Sequence, residues 1–155
     1  MLEVQNPFSG ETLGSISAAE SADVDVAVDA ASHAFQTWRY ASASNRHALL
    51  NRLADLIERD ADEFATIHAL DGGFVYDDVK AFDISQACET LRYFANCTEI
   101  PGRVVDVPGG KGVVRKEPIG VCAAIVPWNA PLYVFDLKSM SLGLLWIEAN
   151  TRSLG

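Results

Sequence analysis

The sequence predicts an α/β fold in which helices come first, β-rich segments second and one strand–helix unit last. Two observations support this prediction. From Ser21 to Cys97, apolar residues recur at helical spacing. Beyond them, the stretches Arg103 to Lys116 and Val121 to Trp128 are rich in the Val and Ile that favour strands. With 155 residues the chain has the size of one domain, and such a domain buries about 70% of its unfolded surface, which is enough for a core.

The first elements predicted are a short hairpin and a helix. The hairpin spans residues 4–17, because Asn6-Pro7-Phe8-Ser9-Gly10 has the composition of a turn. Ser21 is the expected N-cap of a first helix that reaches Trp38. The inward face of this helix is expected to carry Val24, Ala27, Val28, Ala31, Phe35 and Trp38.

Three further helices are expected. The second begins at Ser44 and reaches Arg59. Asp60 and Glu63 form a capping-box pattern for the third, and Gly72-Gly73 ends it. The fourth runs from about Asp77 to Cys97. Their expected inward residues are Leu49, Leu50, Leu53, Leu56, Ile57, Phe64, Ile67, Val79, Phe82, Leu91 and Phe94.

The β-rich part begins with a predicted hairpin. Its strands are Arg103 to Val107 and Gly112 to Lys116, and Pro108 to Lys111 form the turn. The run Gly109 to Gly112 superficially resembles a phosphate-binding loop. It lacks the spacing and the Ser or Thr of such a loop, and no helix follows it, so a hairpin turn is the better interpretation.

The last predicted unit is a strand followed by a helix. Val121 to Val126 are small or branched apolar residues, as in a strand covered on both faces. Pro127 ends the strand because it cannot donate to a sheet. Asn129 is a suitable N-cap, and Pro131 fits the first helical turn. The Asn129 amide would also lie at the carboxyl end of a strand, where open α/β sheets bind ligands. The residues alone favour the capping role.

The composition excludes several classes of protein. A net charge of −9 argues against nucleic acid and against anionic membrane surfaces as partners. No signal peptide is visible at the N-terminus. Three cysteines at irregular spacing argue against a disulfide framework, and scattered histidines argue against a metal site. We therefore expect a cytoplasmic protein without nucleic-acid, membrane or metal partners. The residues concerned are Cys88, Cys97, Cys122, His33, His47 and His68.

The segment Ile125 to Pro131, with the sequence Ile-Val-Pro-Trp-Asn-Ala-Pro, closely resembles the aldehyde dehydrogenase family. Asn6-Pro7 followed by Ser9-Gly10-Glu11 resembles the opening of that family. Leu70 to Gly73 resembles its Leu-Asp-Asn-Gly-Lys motif, with Phe74 in place of the Lys. The resemblance extends from about Val4 to Lys138 and leaves residues 139–155 as a divergent tail.

This resemblance implies a partial aldehyde-dehydrogenase-like fold. Residues 4–138 correspond to the N-terminal part of the NAD-binding domain, with a helical layer and the first strand–helix unit of its Rossmann-like sheet. The hairpin at 103–117 belongs, in the family, to an oligomerisation sheet. By descent the function is oxidation of an aldehyde to a carboxylic acid with NAD or NADP.

The resemblance also assigns residues to the site. Asn129 corresponds to the donor that stabilises the oxyanion. Lys138 corresponds to a family Lys with a role in a proton relay, although a solvated Lys on the helix surface fits its position as well. The nucleophilic Cys and the general-base Glu have no counterpart in this sequence, and none of its cysteines matches the nucleophile segment. The residues that correspond to the lining of the cofactor cleft are Ile125, Val126, Pro127 and Trp128.

The chain alone is therefore expected to be inactive and to bind NAD or NADP poorly. The loss of resemblance after Lys138 indicates a truncated product, a mis-spliced product or a frameshift, and the sequence leaves these open. Two alternatives to an enzyme remain. The chain is a non-catalytic fragment that binds a full-length relative through its β-hairpin, or it is a non-functional truncated product. Because the hairpin exposes many Val side chains, we also expect self-association.

Overall fold

A two-stranded hairpin precedes the helices in the computed structural model, which describes residues 1–97, 102–114 and 117–141, with the backbone alone for 137–141. Strand β1 (Leu2–Gln5) pairs antiparallel with β2 (Thr12–Ile16). The Asn6 side-chain oxygen accepts hydrogen bonds from the backbone N–H groups of Phe8 at 2.9 Å and Ser9 at 3.2 Å. This arrangement is the local turn that Asn favours. The predicted hairpin is confirmed and begins earlier, at Leu2.

Helix α1 (Ser21–Trp38) has Glu20 as its N-cap, so the assignment of Ser21 to that position is wrong. The reason is local: the Asp23 carboxylate accepts a hydrogen bond from the Glu20 N–H at 2.7 Å. The helix buries only Ala31 among the residues of its expected inward face, and Val24 is 56% exposed. In the part of the chain that the structure describes, α1 packs closely against no other element.

Two shorter helices follow. Helix α2 (Ala43–Arg59) begins one residue before the predicted Ser44, because the Ser42 hydroxyl oxygen accepts a hydrogen bond from the Asn45 N–H at 3.1 Å. Helix α3 (Ala61–Gly72) ends as predicted, at Gly73 in the left-handed conformation with φ of 71°.

The predicted capping box at the start of α3 is wrong. The Asp60 carboxylate instead accepts two hydrogen bonds from the neighbouring Arg59 guanidinium, at 2.8 and 2.6 Å. This side-chain pair competes with the backbone for the same carboxylate, and the Asp60 side chain makes no capping bond.

The fourth predicted helix is confirmed as one helical stretch. Helix α4 (Tyr76–Asp78) continues without interruption through a π-helical segment, Val79–Ile84, into helix α5 (Ser85–Ala95).

The hydrophobic core lies between α2 and α5, with contributions from α3 and the π-helical segment. The Cys88 thiol donates to the Ala54 carbonyl at 3.6 Å across this contact. Four residues expected to face inward do not. Leu49, Phe64, Ile67 and Phe82 are 51%, 38%, 56% and 66% exposed. Their positions fall outside the stripe that the neighbouring helix covers. The core residues are Leu50, Ala54, Ile57, Ala65, Val79, Ile84, Cys88, Leu91 and Ala95.

A second hairpin, of strands β3 (Arg103–Val107) and β4 (Gly110–Val114), confirms the predicted hairpin, but its turn is Pro108-Gly109 alone. Strand β4 begins two residues before the predicted Gly112, because Gly110 and Lys111 pair with Val107 and Asp106. Gly109 occupies the turn with φ of 88°, a conformation that favours glycine. Val104 and Val113 lie directly opposite each other and are 63% and 65% exposed. The predicted strand end at residues 115–116 lies outside the described residues.

The predicted buried strand from Val121 to Trp128 is absent from the structure. Ile125 is 78% exposed, and the strands described pair only within their own two hairpins. A strand needs a hydrogen-bonded neighbour, and no strand of the described ranges lies beside this segment. Helix α6 (Pro131–Ser141) follows as expected, whereas the predicted tail beyond it, at 142–155, lies outside the described residues.

None of the helices in the described residues has the length and apolar composition that a membrane span requires. In the same part of the chain, no three His, Cys, Asp or Glu side chains lie close enough together to hold a metal ion.

Candidate functional site

The candidate site is the turn formed by Trp128, Asn129 and Ala130, where the extended segment meets α6. The first hydrogen bond of α6 runs from the Val134 N–H to the Ala130 carbonyl, at 3.0 Å. Ala130 therefore occupies the N-cap position, and the prediction that Asn129 caps the helix is wrong. The Asn129 side chain is exposed, and it makes no hydrogen bond within the described part of the chain.

The Trp128 indole contacts the Phe74 ring, with a centroid distance of 5.8 Å and an angle of 37° between the planes. Phe74 in turn receives the edge of His68, at 4.8 Å and 61°. Both distances lie in the range of favourable aromatic pairs. The turn that carries Asn129 is thus in contact with the residues that follow α3. Sequence reasoning missed this contact because nothing in the local pattern links residues so far apart in the chain.

On the other side of the turn, α6 packs against α5 and the π-helical segment. Leu132 contacts the hydrophobic core. Asp136 is fully buried, and neither of its carboxylate oxygens has a hydrogen-bond partner among the described residues. Burial raises the pKa of Asp136 from 3.8 to about 7, because a charged carboxylate is costly in an apolar environment. A single acidic residue within an apolar helix was the signal that could have found it.

Cys88 does not have the character of a nucleophile. Desolvation by burial raises the pKa of its thiol most, the Arg92 charge lowers it, and the Glu58 and Asp136 carboxylates raise it. Cys88 therefore stays in its unreactive thiol form. The Cys122 thiol is half-buried and donates to the Gly120 carbonyl at 3.7 Å. Cys97 is half-buried at the end of α5.

The predicted site residues lie consecutively along the chain. Val126 is half-buried, while Ile125, Pro127, Trp128 and Asn129 are exposed. They form a continuous surface in front of the N-terminus of α6. Lys138 lies on α6, and its side chain lies outside the described part of the structure.

Comparison with known proteins connects this geometry to a family. The model of the "Aldehyde dehydrogenase family" matches residues 1–141. An aldehyde dehydrogenase of Alternaria alternata is 43% identical over 139 residues, a match that covers 88% of this chain and 28% of that protein. Aldehyde dehydrogenase 1A1 of Gallus gallus is 42% identical over 141 residues, with the same coverage of 88% and 28%.

Solved structures agree with the sequence matches. PnpE from Pseudomonas sp. WBC-3 superposes with a TM-score of 0.86 at 38% identity, over 91% of this chain and 29% of that one. The NAD⁺ complex of an aldehyde dehydrogenase from Bacillus cereus gives a TM-score of 0.86 at 35% identity, over 91% and 30%. The predicted fold class, a partial aldehyde-dehydrogenase-like fold, is thereby confirmed.

The chain spans less than a third of the length of these relatives, since the curated matches cover 28% of the partner protein. The family match extends over residues 1–141 and therefore includes the turn with Trp128 and Asn129. The chain belongs to the aldehyde dehydrogenase family.

Proposed function

We propose that this chain supplies the oxyanion donor and one wall of the cofactor cleft in an NAD- or NADP-dependent oxidation of an aldehyde to a carboxylic acid. The observation that carries the proposal is the state of Asn129. Its side chain is exposed at the turn before α6 and is not used to cap that helix. The N-cap position of α6, which would otherwise explain an Asn here, is occupied by Ala130.

A free carboxamide at this position suits the chemistry of aldehyde oxidation. Attack by a nucleophile on an aldehyde carbon places negative charge on the carbonyl oxygen. The amide of Asn129 can donate a hydrogen bond to that oxygen. A preorganised donor of this kind is worth about 2.7–4 kcal/mol to the transition state. Because the Asn129 side chain makes no hydrogen bond within the described part of the chain, no such bond has to break when it donates.

We propose NAD or NADP as the cofactor because structural neighbours such as the Bacillus cereus aldehyde dehydrogenase are NAD⁺ complexes. The residues present fit part of such a molecule. The exposed Ile125 side chain and the Trp128 ring offer apolar surface to a planar base. The helix that follows begins with Pro131, which has no N–H, and no glycine-rich turn precedes it. The described residues therefore offer no pyrophosphate cradle of the usual kind.

The nucleophile and the base must come from outside the described site. Cys88 is buried as a thiol, and neither Cys97 nor Cys122 lies in a segment that matches the family nucleophile. We propose that turnover requires the remainder of a family-length protein. Lys138 then has a role in a proton relay, in keeping with its position on α6. We further propose a cytoplasmic location, which suits three free cysteines.

The test uses a chimera in which residues 1–138 of this chain replace the matching part of the Bacillus cereus aldehyde dehydrogenase. We expect Asn129→Ala to lower kcat about 10²–10³-fold with a smaller change in KM. The control is Asn45→Ala, which removes another exposed Asn side chain, on α2. Equal activity of the Asn129→Ala and Asn45→Ala chimeras would refute the proposed role.

A second candidate function is favoured by the hairpin of β3 and β4. Its Val104, Val107 and Val113 side chains are 63%, 45% and 65% exposed, and it pairs with no third strand among the described elements. An isolated two-stranded hairpin is marginal in water and its edges accept further strands. On this basis the chain is a non-catalytic partner that pairs with a full-length relative or with itself. Retention of an aldehyde dehydrogenase on the immobilised chain, lost on changing Val104 and Val113, would support it. If the immobilised chain retains no aldehyde dehydrogenase and the chimera has no activity, the remaining explanation is that the chain is a non-functional product.

A further inference from the structure

We propose that Phe74 is a positioning residue for the site: its ring holds Trp128 and thereby sets the place of the Asn129 amide. This inference rests on the proposed function for its catalytic meaning. It concerns Phe74, which stands where the resembled family motif has a Lys.

The turn needs such support because the chain before it is not held by a sheet. Residues 117–127 contain no strand, and Ile119 and Ile125 are 77% and 78% exposed. On the other side, Leu132 contacts the hydrophobic core. Trp128 and Asn129 thus lie between a helix that contacts the core and a segment that forms no strand in the described structure. The contact between Phe74 and Trp128 is one restraint on this end of the turn.

Phe74 is itself well held. It packs against the hydrophobic core and receives the edge of the His68 ring at 4.8 Å. His68 Nδ1 lies 3.5 Å from a carboxylate oxygen of Asp83, which orients the imidazole. The Phe74 ring therefore has a fixed face to offer, and Trp128 lies on it at 5.8 Å.

The place of the Phe74 ring also depends on Gly72. A Cβ at this position would lie 2.6 Å from two carbons of the Phe74 ring and 3.3 Å from His68 Cδ2. The ring thus occupies the space that a side chain at Gly72 would take. This residue is the last of α3, with ordinary helical backbone, so Ala would fit its conformation and favour the helix. Gly72→Ala should therefore displace the ring without weakening α3.

The experiment measures the local motion of Trp128 by time-resolved fluorescence anisotropy. The background is Trp38→Phe with Trp146→Phe, which leaves Trp128 as the sole indole. Side-chain motion appears in the sub-nanosecond component of the decay, whereas self-association changes only the slow component. We expect Phe74→Leu and Gly72→Ala each to increase the amplitude of the fast component.

The matched control is Phe94→Leu. Phe94 also packs against the core, and its ring contacts Tyr93 and not Trp128. The Phe94→Leu substitution removes a comparable ring. It should lower thermal stability and leave the fast component of the Trp128 decay unchanged. Gly72→Ala separates positioning from stability, since it keeps the Phe74 ring and should raise Trp128 motion with a smaller loss of melting temperature than Phe74→Leu. Unchanged Trp128 motion in both Phe74→Leu and Gly72→Ala would overturn the proposal.

The same variants in the chimera separate this inference from the proposed function. If both hold, Phe74→Leu lowers kcat more than Phe94→Leu does, and Phe74→Tyr, which keeps the ring, restores it. If Asn129→Ala leaves kcat unchanged while Phe74→Leu still releases Trp128, the oxyanion role fails and the positioning contact stands. If Asn129→Ala lowers kcat and Trp128 motion does not respond, the positioning role fails alone.

Discussion

The helices from α2 to α5 and the segments from β3 to Pro127 are both rich in apolar side chains, yet only the helices bury them. Leu50 and Leu91 are 1% and 0% exposed, whereas Val113 and Ile125 are 65% and 78% exposed. The difference follows from where each element finds its hydrogen bonds. A helix makes its backbone hydrogen bonds internally, so it only needs to pack its apolar face against another element. A strand takes its hydrogen bonds from a neighbour, so its burial depends on segments elsewhere.

The largest effect expected from this comparison is the absence of catalysis by the chain alone. None of the three cysteines lies in a segment that matches the family nucleophile, and losing a nucleophile and base costs several orders of magnitude in rate. We expect no NADH absorbance above a blank with NAD and a panel of aldehydes. Titration calorimetry should give no NAD binding tighter than about millimolar. A micromolar constant would show that the exposed segment forms a complete site.

The next effect is a pH dependence of stability that arises in α6, the helix that follows Pro127 and packs against α5. Asp136 keeps its proton up to about pH 7 in the native chain, whereas the unfolded chain loses it near the ordinary pKa of 3.8. Between these values the unfolded state binds fewer protons, so the free energy of unfolding falls as the pH rises. The full decrease is about 4 kcal/mol.

Denaturant unfolding of Asp136→Asn across this pH interval should show a much weaker dependence than the parent. Asp78→Asn, which changes an exposed Asp at the end of α4, is the control and should behave like the parent. The same slope in the parent and in Asp136→Asn would show that α6 does not bury this carboxylate.

A smaller effect tests the core of the helical region. Leu91→Ala removes a fully buried side chain from the contact of α5 with α2. We expect a loss of about 3 kcal/mol in the free energy of unfolding, in the range of buried Leu truncations. Leu49→Ala, at a position 51% exposed on α2, should change it by less than about 0.5 kcal/mol. If both substitutions lower the free energy of unfolding equally, Leu49 is buried as the helical spacing predicts, and the observed packing is wrong at this position.

The smallest change in stability, with a clear change in association, is expected in the hairpin. Val104→Lys combined with Val113→Glu replaces two exposed, directly opposite side chains by an ion pair, and the net charge stays at −9. Opposite charges across strands preserve the hairpin, and charge on an edge strand blocks pairing with other chains. Light scattering at micromolar concentration should show less self-association than in the parent chain.

The control for the hairpin variant is Val24→Lys with Val28→Glu. It removes exposed apolar area from α1 without touching a strand, at positions 56% and 47% exposed. If this helix variant reduces association as much as the hairpin variant does, apolar area in general, and not strand pairing, drives it.

The sequence predicted the helices and both hairpins because their signals are local. Helical spacing, the Asn6 turn and the left-handed Gly73 each act within a few residues. Cap positions were off by one or two, as at Ser21 and Ser44, because adjacent polar side chains compete for the same backbone groups. The strand predicted at Val121 to Trp128 is absent from the structure, because composition alone does not supply the partner strand that a strand needs.

The candidate site was predictable in part for the same reason. The Pro127-Trp128-Asn129 motif is a local signal, and it located the turn. The sequence did not predict that the Asn129 side chain would be left without a capping hydrogen bond. That outcome depends on Ala130, and not Asn129, being the N-cap of α6. The burial of Asp136 and the contact between Phe74 and Trp128 arise only when distant parts of the chain pack together.

The short sequence separations within the helical core have a consequence for the order of folding during synthesis. The hydrogen bonds between α2 and α5 join residues that lie from 34 positions apart, as for Cys88 and Ala54, to 48 positions apart, as for His47 and Ala95. Helical units rich in local contacts fold in microseconds to milliseconds. A ribosome adds roughly 5–20 residues per second. The segment up to α5 has therefore had time to fold before the exposed Val residues of the hairpin are made. A folded helical unit would then present the growing hairpin to its strand partners, which limits the time that its edges remain open to other chains.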